Sequence, residues 1–79
     1  MDKFERVSRL NGRKYNVFDD DIVRIVNLAQ ATAYIKNDVM PIDIYASRDK
    51  NNDKNILVFL FSRSETKEVY DLWCRHELK

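Results

Sequence analysis

Few residue clusters in this sequence have the types and spacing that chemistry requires, and the first is an alternating run of carboxylates and amides. Every second residue from position 49 to position 55 carries a side-chain oxygen, namely Asp49, Asn51, Asp53 and Asn55. A calcium-binding EF-hand loop begins in this way, but it needs a glycine at its sixth position and a bidentate glutamate at its twelfth. Lys54 and Leu60 stand there instead. The run therefore predicts a polar hairpin loop and no metal site.

A nucleophile with a neighbouring base would have to be built from Cys74 and His76. Residues two apart on a helix point to nearly opposite sides, so this pair does not predict a catalytic dyad. One Cys and one His in the whole chain are too few for a zinc site of usual composition. The aspartates at 19–21 have diverging side chains and predict a charged turn. We expect no catalytic site, no cofactor, no metal and no enzymatic activity.

The clearest charge feature is a basic cluster near the N terminus. The first fourteen residues contain five Lys or Arg against two acidic residues, whereas the net charge of the chain is only +1. A basic hairpin with interleaved aromatic residues can follow a phosphate backbone or enter a groove as a β-ribbon. The simpler interpretation, an edge hairpin kept soluble by its charges, is favoured. The candidate binding surface comprises Lys3, Arg6, Arg9, Arg13, Lys14 and Tyr15.

Composition bounds the class of protein. With 79 residues, 44% of them hydrophobic and 34% charged, the chain is expected to fold into a single globular domain spanning residues 1–79. It contains one Gly and one Pro, which leaves no flexible linker. No apolar run approaches the length of a membrane span, and the lone cysteine favours a reducing compartment, so we expect a cytoplasmic protein without membrane contact.

The first half of the chain predicts a hairpin, a strand and a short helix. Asn11 and Gly12 predict a two-residue type I′ turn between strands at 3–10 and 13–18. Residues 22–26 fit either a strand or the start of a longer helix, and a strand over 21–26 is preferred because Asn27 and Gln30 can form a capping box. A helix then covers 28–36, and Asn37 is expected to end it in the left-handed conformation.

The second half predicts a hairpin followed by the best helix of the chain. Residues 42–46 alternate as a half-exposed strand with Asp43 and Tyr45 outward, and the apolar run at 56–61 is typical of a central strand covered on both faces. Ser62 and Glu65 predict a second capping box. The helical stripe predicted to be buried consists of Val69, Leu72, Trp73 and His76.

Together these elements predict an α+β fold. We expect a two-layer sandwich in which a mainly antiparallel sheet of four to five strands packs against two helices, with an N-terminal hairpin. Residues 1–18 form the hairpin-like extension and residues 21–78 the core. Val58 and Leu60 are predicted to meet Leu72 and Trp73 at the centre.

Four segments carry a resemblance to known proteins: NLAQATAYIKN at 27–37, VMPIDI at 39–44, LVFLF at 57–61 and TKEVYDLW at 66–73. This part of the chain, from about Asn27 to Leu78, resembles a small, mostly uncharacterised family from Firmicute bacteria, their phages and mobile elements. The resemblance implies a strand, short helix, hairpin and helix in that order, and no particular activity. Asp38 stands where the family usually has a helix-terminating Gly, which shifts the expected left-handed cap to Asn37.

The resulting functional hypothesis is a small non-enzymatic binding protein of phage or mobile-element origin. It would act through protein–protein interaction with a host protein or with itself, as a monomer or a homodimer, and would modulate or inhibit a host system. The alternative is a nucleic-acid-binding module that uses the basic N-terminal hairpin.

Overall fold

The structure is a computed structural model that describes residues 4–78. Its elements, in chain order, are β1 (Glu5–Val7), β2 (Lys14–Asn16), β3 (Ile22–Ile25), α1 (Leu28–Lys36), β4 (Asp43–Arg48), β5 (Asn55–Ser62) and α2 (Arg63–Cys74). The α+β prediction is confirmed, and the ambiguous segment at 22–26 is a strand. Within these residues, no helix combines the length and the hydrophobicity needed to cross a membrane.

The five strands divide into two antiparallel sheets. β1 and β2 form the N-terminal hairpin, and the main sheet has the order β3-β5-β4, with β5 at its centre. In the main sheet Phe59 of β5 lies opposite both Ile25 and Ile44, and Phe61 lies opposite Val23. Directly opposed residues of antiparallel strands share a face. Val58 to Phe61 are all buried, so the prediction of a central strand covered on both faces is confirmed for these four residues of the 56–61 run, whereas Leu57 is 45% exposed.

The two faces of β5 carry different partners from those predicted. Phe59 and Phe61 form the core with Ala31 and Tyr34 of α1 and Val69 of α2, and we call this side of the sheet the helix face. Tyr34 and Phe61 meet edge to face with ring centroids 5.2 Å apart. The opposite side, with Asp43, Tyr45, Val58 and Leu60, is the hairpin face. The predicted contact of Val58 and Leu60 with Leu72 and Trp73 is therefore wrong, because the pleat turns those two residues away from the helices.

α1 has the predicted bounds, but the left-handed residue that follows it lies one position later than expected. The side chain of Asn27 accepts a hydrogen bond from the backbone N–H of Gln30, so the predicted N-cap is confirmed. The Gln30 side chain donates to the Tyr34 hydroxyl instead of completing the predicted capping box. Asn37, however, has a φ of −100°, and the left-handed residue is Asp38, with a φ of 66°. The N–H groups of Asp38 and Val39 donate to the carbonyls of Ile35 and Tyr34, which is a Schellman motif. The left-handed position therefore stays where the family resemblance places its glycine.

α2 ends in the same motif, with His76 in the left-handed position at a φ of 58°. The N–H groups of His76 and Glu77 donate to the carbonyls of Trp73 and Leu72. His76 is exposed and lies beyond the helix, so its predicted place in the buried stripe is wrong. Trp73 is partly buried against the core.

Replacing His76 with Gly is expected to raise the free energy of unfolding by about 1 kcal/mol, because a Cβ is costly in the left-handed region. Urea unfolding at neutral pH measures the change. The matched control is Arg75→Gly, because Arg75 has a φ of −91° and glycine relieves no strain there. Equal destabilisation by both changes would contradict the prediction.

The start of α2 depends on a residue far away in the chain. Ser62, its N-cap, makes no side-chain capping bond, so the predicted capping box with Glu65 is wrong. Instead the carboxylate of Asp21 accepts from the Ser64 N–H at 2.9 Å and from the Ser62 hydroxyl at 2.6 Å. These bonds to Ser62 and Ser64 lower the pKa of Asp21. The residue before β3 thereby fixes the helix to the sheet.

Both hairpin loops have the same backbone geometry. In the first loop, the Ser8 N–H donates to the Arg13 carbonyl and the Gly12 N–H donates to the Ser8 carbonyl. In the second loop, the Asp49 N–H donates to the Lys54 carbonyl and the Asp53 N–H donates to the Asp49 carbonyl. The left-handed residue is Gly12 in one loop and Asp53 in the other. The predicted type I′ turn is wrong, because Asn11 does not have the positive φ that it requires. The polar hairpin loop predicted for the 49–55 run is confirmed, and Asp49 accepts from the Asn51 N–H within it.

Candidate functional site

The predicted basic surface lies on the N-terminal hairpin. Arg6, Arg9, Arg13 and Lys14 are all exposed, whereas Lys3 lies outside the described residues. Lys14 forms an ion pair with Glu5 at 3.7 Å, and Arg6 donates to the Glu5 carbonyl at 3.2 Å. These three arginines and one lysine thus share one hairpin, but Lys14 and Arg6 already interact with Glu5 within it.

Tyr15 and Arg9 also attach the hairpin to the main sheet, through Asp43. The Tyr15 hydroxyl donates to Asp43 Oδ2 at 2.6 Å, and the Arg9 backbone N–H donates to Oδ1 at 3.0 Å. The N–H of Ile44 donates to Oδ1 at 2.9 Å, and the Arg9 guanidinium lies 3.6 Å from Oδ2. Nearby, the Ser8 hydroxyl donates to the Ile42 carbonyl. Hairpin and sheet are therefore joined by a polar network.

Asp43 is fully buried, which contradicts the prediction that it alternates outward on a half-exposed strand. Asp43 lies on the hairpin face of the sheet, which points away from the helices but is covered by the N-terminal hairpin. Burial raises the pKa of Asp43, but the hydrogen bonds from Tyr15, the Arg9 N–H and the Ile44 N–H, together with the Arg9 charge, outweigh it and leave the pKa below its usual range. Burial and the bond to Asp43 raise the pKa of Tyr15 to about 12. Asp43 therefore stays ionised and Tyr15 protonated at neutral pH.

These shifts predict a stability profile with two limbs. The folded pKa of Asp43 is depressed, so its contribution is complete above the ordinary value of 3.8 and is lost as the pH falls below it. The folded pKa of Tyr15 is raised, so its contribution is complete below 10 and is lost as the pH rises toward about 12. Unfolding free energies measured across this range should show both losses. Tyr15→Phe should reduce the loss of unfolding free energy at alkaline pH. An unchanged loss in this variant would contradict its attribution to Tyr15.

No protein-family model, curated protein or solved structure matched this chain. The resemblance to the Firmicute and phage family therefore stays a prediction. Among residues 4–78, no three or more His, Cys, Asp or Glu side chains are grouped so that they could hold a metal ion.

A second surface, not predicted from the sequence, is a groove between β3 and α2. Val23 and Ile25 of β3 form its apolar floor, with the fully buried Tyr34 of α1 behind them, and α2 forms its other wall. The groove has a volume of about 460 Å³. We call it the β3–α2 groove; it is lined by Val23, Ile25, Tyr34, Arg63, Thr66, Lys67 and Tyr70.

The groove lies beside an edge of the main sheet. β3 pairs with β5 on one side only, and no other described strand pairs with it. The Asp21 carbonyl accepts from the Arg63 N–H, so residue 21 and every second residue after it point their backbone groups at β5. The N–H and C=O of Arg24 consequently point away from the sheet. This edge can accept another strand.

Sequence patterns contained part of this site. Arg63, Lys67 and Tyr70 are spaced as i, i+4 and i+7 and therefore share one face of α2, but this spacing does not distinguish a face that borders a groove from a solvated face. Tyr70 is in fact 54% exposed, which leaves its ring accessible at the groove. The missing information was the packing of α2 beside β3, which no spacing within the helix reveals.

Proposed function

We propose that this chain is a small, non-enzymatic, cytoplasmic protein-binding module of phage or mobile-element origin, which modulates a host system by occupying a surface of a partner protein. The observation that supports the proposal is the β3–α2 groove, where an apolar floor, an exposed tyrosine and an unpaired strand edge adjoin. Aromatic residues are enriched at protein interfaces, and open strand edges pair with extended peptides.

Site-specific photo-crosslinking tests this proposal. A photoreactive phenylalanine derivative at Tyr70 should crosslink a discrete protein in nuclease-treated extract of a Firmicute bacterium, and the same group at Phe18 should not. Phe18 is a matched site because it is aromatic and 69% exposed, and it lies at the end of the hairpin. The Tyr70 crosslink should disappear in a Lys67→Glu background. Equal crosslinking from both sites, insensitive to Lys67, would contradict binding at the groove.

Nucleic-acid binding by the hairpin is the second candidate, and the exposed cluster of Arg6, Arg13 and Lys14 favours it. The details of the hairpin weigh against it. The Tyr15 hydroxyl is bonded to buried Asp43, and Phe4 and Phe18 pack edge to face on each other with centroids 4.6 Å apart. Stacking of bases requires an accessible aromatic face. The half-buried Tyr15 ring is restrained by its bond to Asp43, and Phe18, which keeps 69% of its surface exposed, is the one ring of the three that is largely accessible.

Salt dependence distinguishes the two candidates. Four or five phosphate contacts would give a log–log slope of affinity against salt of about −3 to −4. We expect weak binding of random single-stranded oligonucleotides with a shallower slope. The double variant Arg6→Glu, Arg13→Glu should leave both the slope and the unfolding free energy nearly unchanged; Arg9 is left out because it contacts Asp43. Tight binding with the steep slope, abolished by the double variant in a mobility assay, would favour the nucleic-acid function.

A further inference from the structure

The charged side chains that line the β3–α2 groove are both positive. Arg63 and Lys67 line the groove, and Arg24 projects from β3 at the adjoining edge. No carboxylate among residues 4–78 forms an ion pair with any of the three. The Asp21 carboxylate is bonded to the serines at the start of α2, and the charge of Arg63 makes a small further contribution to lowering its pKa. Because none of the three forms an ion pair within the described part of the chain, the groove offers net positive charge to a ligand.

The two faces of β3 define what an added strand would meet. Val23 and Ile25 point to the helix face, where they form the apolar floor of the groove, while Ile22 and Arg24 point to the hairpin face. A strand paired with β3 alternates its side chains in the same way. Its residues on the helix face would contact the apolar floor, and those on the hairpin face would lie beside Arg24.

We propose that the open edge of β3 binds an extended acidic peptide segment of a partner protein, in which apolar residues alternate with Asp or Glu, by β-strand addition. The inference rests on the proposed function and specifies the partner of that site. Apolar side chains enter the β3–α2 groove, and carboxylates meet Arg24 on the hairpin face. Arg63 and Lys67 at the groove wall add to the positive field that attracts the acidic segment, and the backbone of Arg24 supplies main-chain hydrogen bonds. A second copy of this chain fits less well, because it would bring the same three positive charges to the shared edge.

The first test uses an acetylated and amidated heptapeptide of alternating valine and glutamate, labelled for fluorescence anisotropy. We expect saturable binding by the whole chain, and at least about tenfold weaker binding of the peptide with lysine in place of glutamate. N-methylation of those peptide amides that face β3 should abolish binding, whereas N-methylation of the neighbouring amides, which face solvent, should not. Equal effects of methylation at both sets of positions would overturn strand addition. Equal binding of the lysine peptide would overturn the acidic specificity.

The second test changes the protein. Lys67→Glu should weaken peptide binding at least about fivefold, while Lys50→Glu, in the loop between β4 and β5, should have no effect. Arg24→Pro removes the outward N–H and should abolish binding, since proline is tolerated at the solvent side of an edge strand. Arg24→Gln keeps the N–H and should only weaken it. If Arg24→Pro unfolds, the methylated peptides still decide the question.

The outcomes separate this inference from the proposed function. If no acidic peptide binds but the Lys67-dependent crosslink at Tyr70 persists, the acidic strand is wrong and protein binding at the groove stands. If the peptide binds with the expected specificity but no protein is crosslinked from extract, the site is supported and the proposed host partner is not. A homodimer that Lys67→Glu and Arg24→Pro both dissociate would overturn the inference in favour of a second copy.

Discussion

Replacing Asp43 with Ala is expected to abolish cooperative folding or to lower the free energy of unfolding by about 3 to 5 kcal/mol. The change leaves the part-buried Tyr15 hydroxyl and the Arg9 N–H without their acceptor and removes a fully buried charge from its hydrogen-bonding partners. Because a domain of this size has a total stability of about 5 kcal/mol, the loss is of the same order as the whole. Thermal and urea unfolding followed by circular dichroism measure it.

The control for Asp43 is Glu5, the other carboxylate of the hairpin region. Glu5 forms an exposed ion pair with Lys14, so Glu5→Gln should change the unfolding free energy by about 0.5 kcal/mol or less. Similar small effects of both substitutions would mean that the hairpin is not held to the sheet through Asp43. A cooperative Asp43→Ala variant whose hairpin amides alone lose hydrogen-exchange protection would also contradict the prediction of global loss.

Replacing Phe61 with Ala is expected to cost about 3 to 5 kcal/mol, because it leaves a cavity at the centre of the core. Phe61 has no exposed surface and packs edge to face against Tyr34, which is equally buried. Trp73→Ala, which the sequence pattern alone predicts to unfold the domain, should cost less than Phe61→Ala because Trp73 is only partly buried. Unfolding of the two variants under the same conditions gives the ranking.

Phe18 provides the surface control for the Phe61 experiment. Its ring is 69% exposed and contacts Phe4, so Phe18→Ala should cost at most about 1 kcal/mol, the value of an aromatic pair. A larger loss from Trp73→Ala than from Phe61→Ala would contradict the packing of the helix face and would place the stability centre at the end of α2.

Local signals predicted the elements whose causes lie within a few residues. The start of α1 follows from the Asn27 cap, which satisfies a backbone donor three residues away. The central strand follows from six consecutive apolar residues at 56–61. The polar loop at 49–54 follows from aspartate and asparagine side chains that accept bonds from their own backbone. In each case the interacting groups are close in sequence.

The candidate site was predicted only in part, because its components are distant in sequence. Arg6, Arg9, Arg13, Lys14 and Tyr15 do share the hairpin, but Tyr15 and Arg9 bond to Asp43, about 30 residues away. The β3–α2 groove likewise combines Val23 with Tyr70, and no periodic pattern connects them. A sequence pattern shows that a residue has a buried or an exposed side, but it does not show which element covers that side.

The sequence by itself determined the α+β class, the order of the elements and most helix and strand positions, because hydrophobic periodicity and capping act over a single turn or strand. Only the tertiary structure decided which face of β5 meets the helices, that Asp43 is buried under the hairpin, and that Asp21 rather than Ser62 caps α2. Alternation along a strand is symmetric between its two faces, so the pattern alone cannot assign them. Long-range packing and hydrogen bonding made the choice, and they left the edge of β3 open.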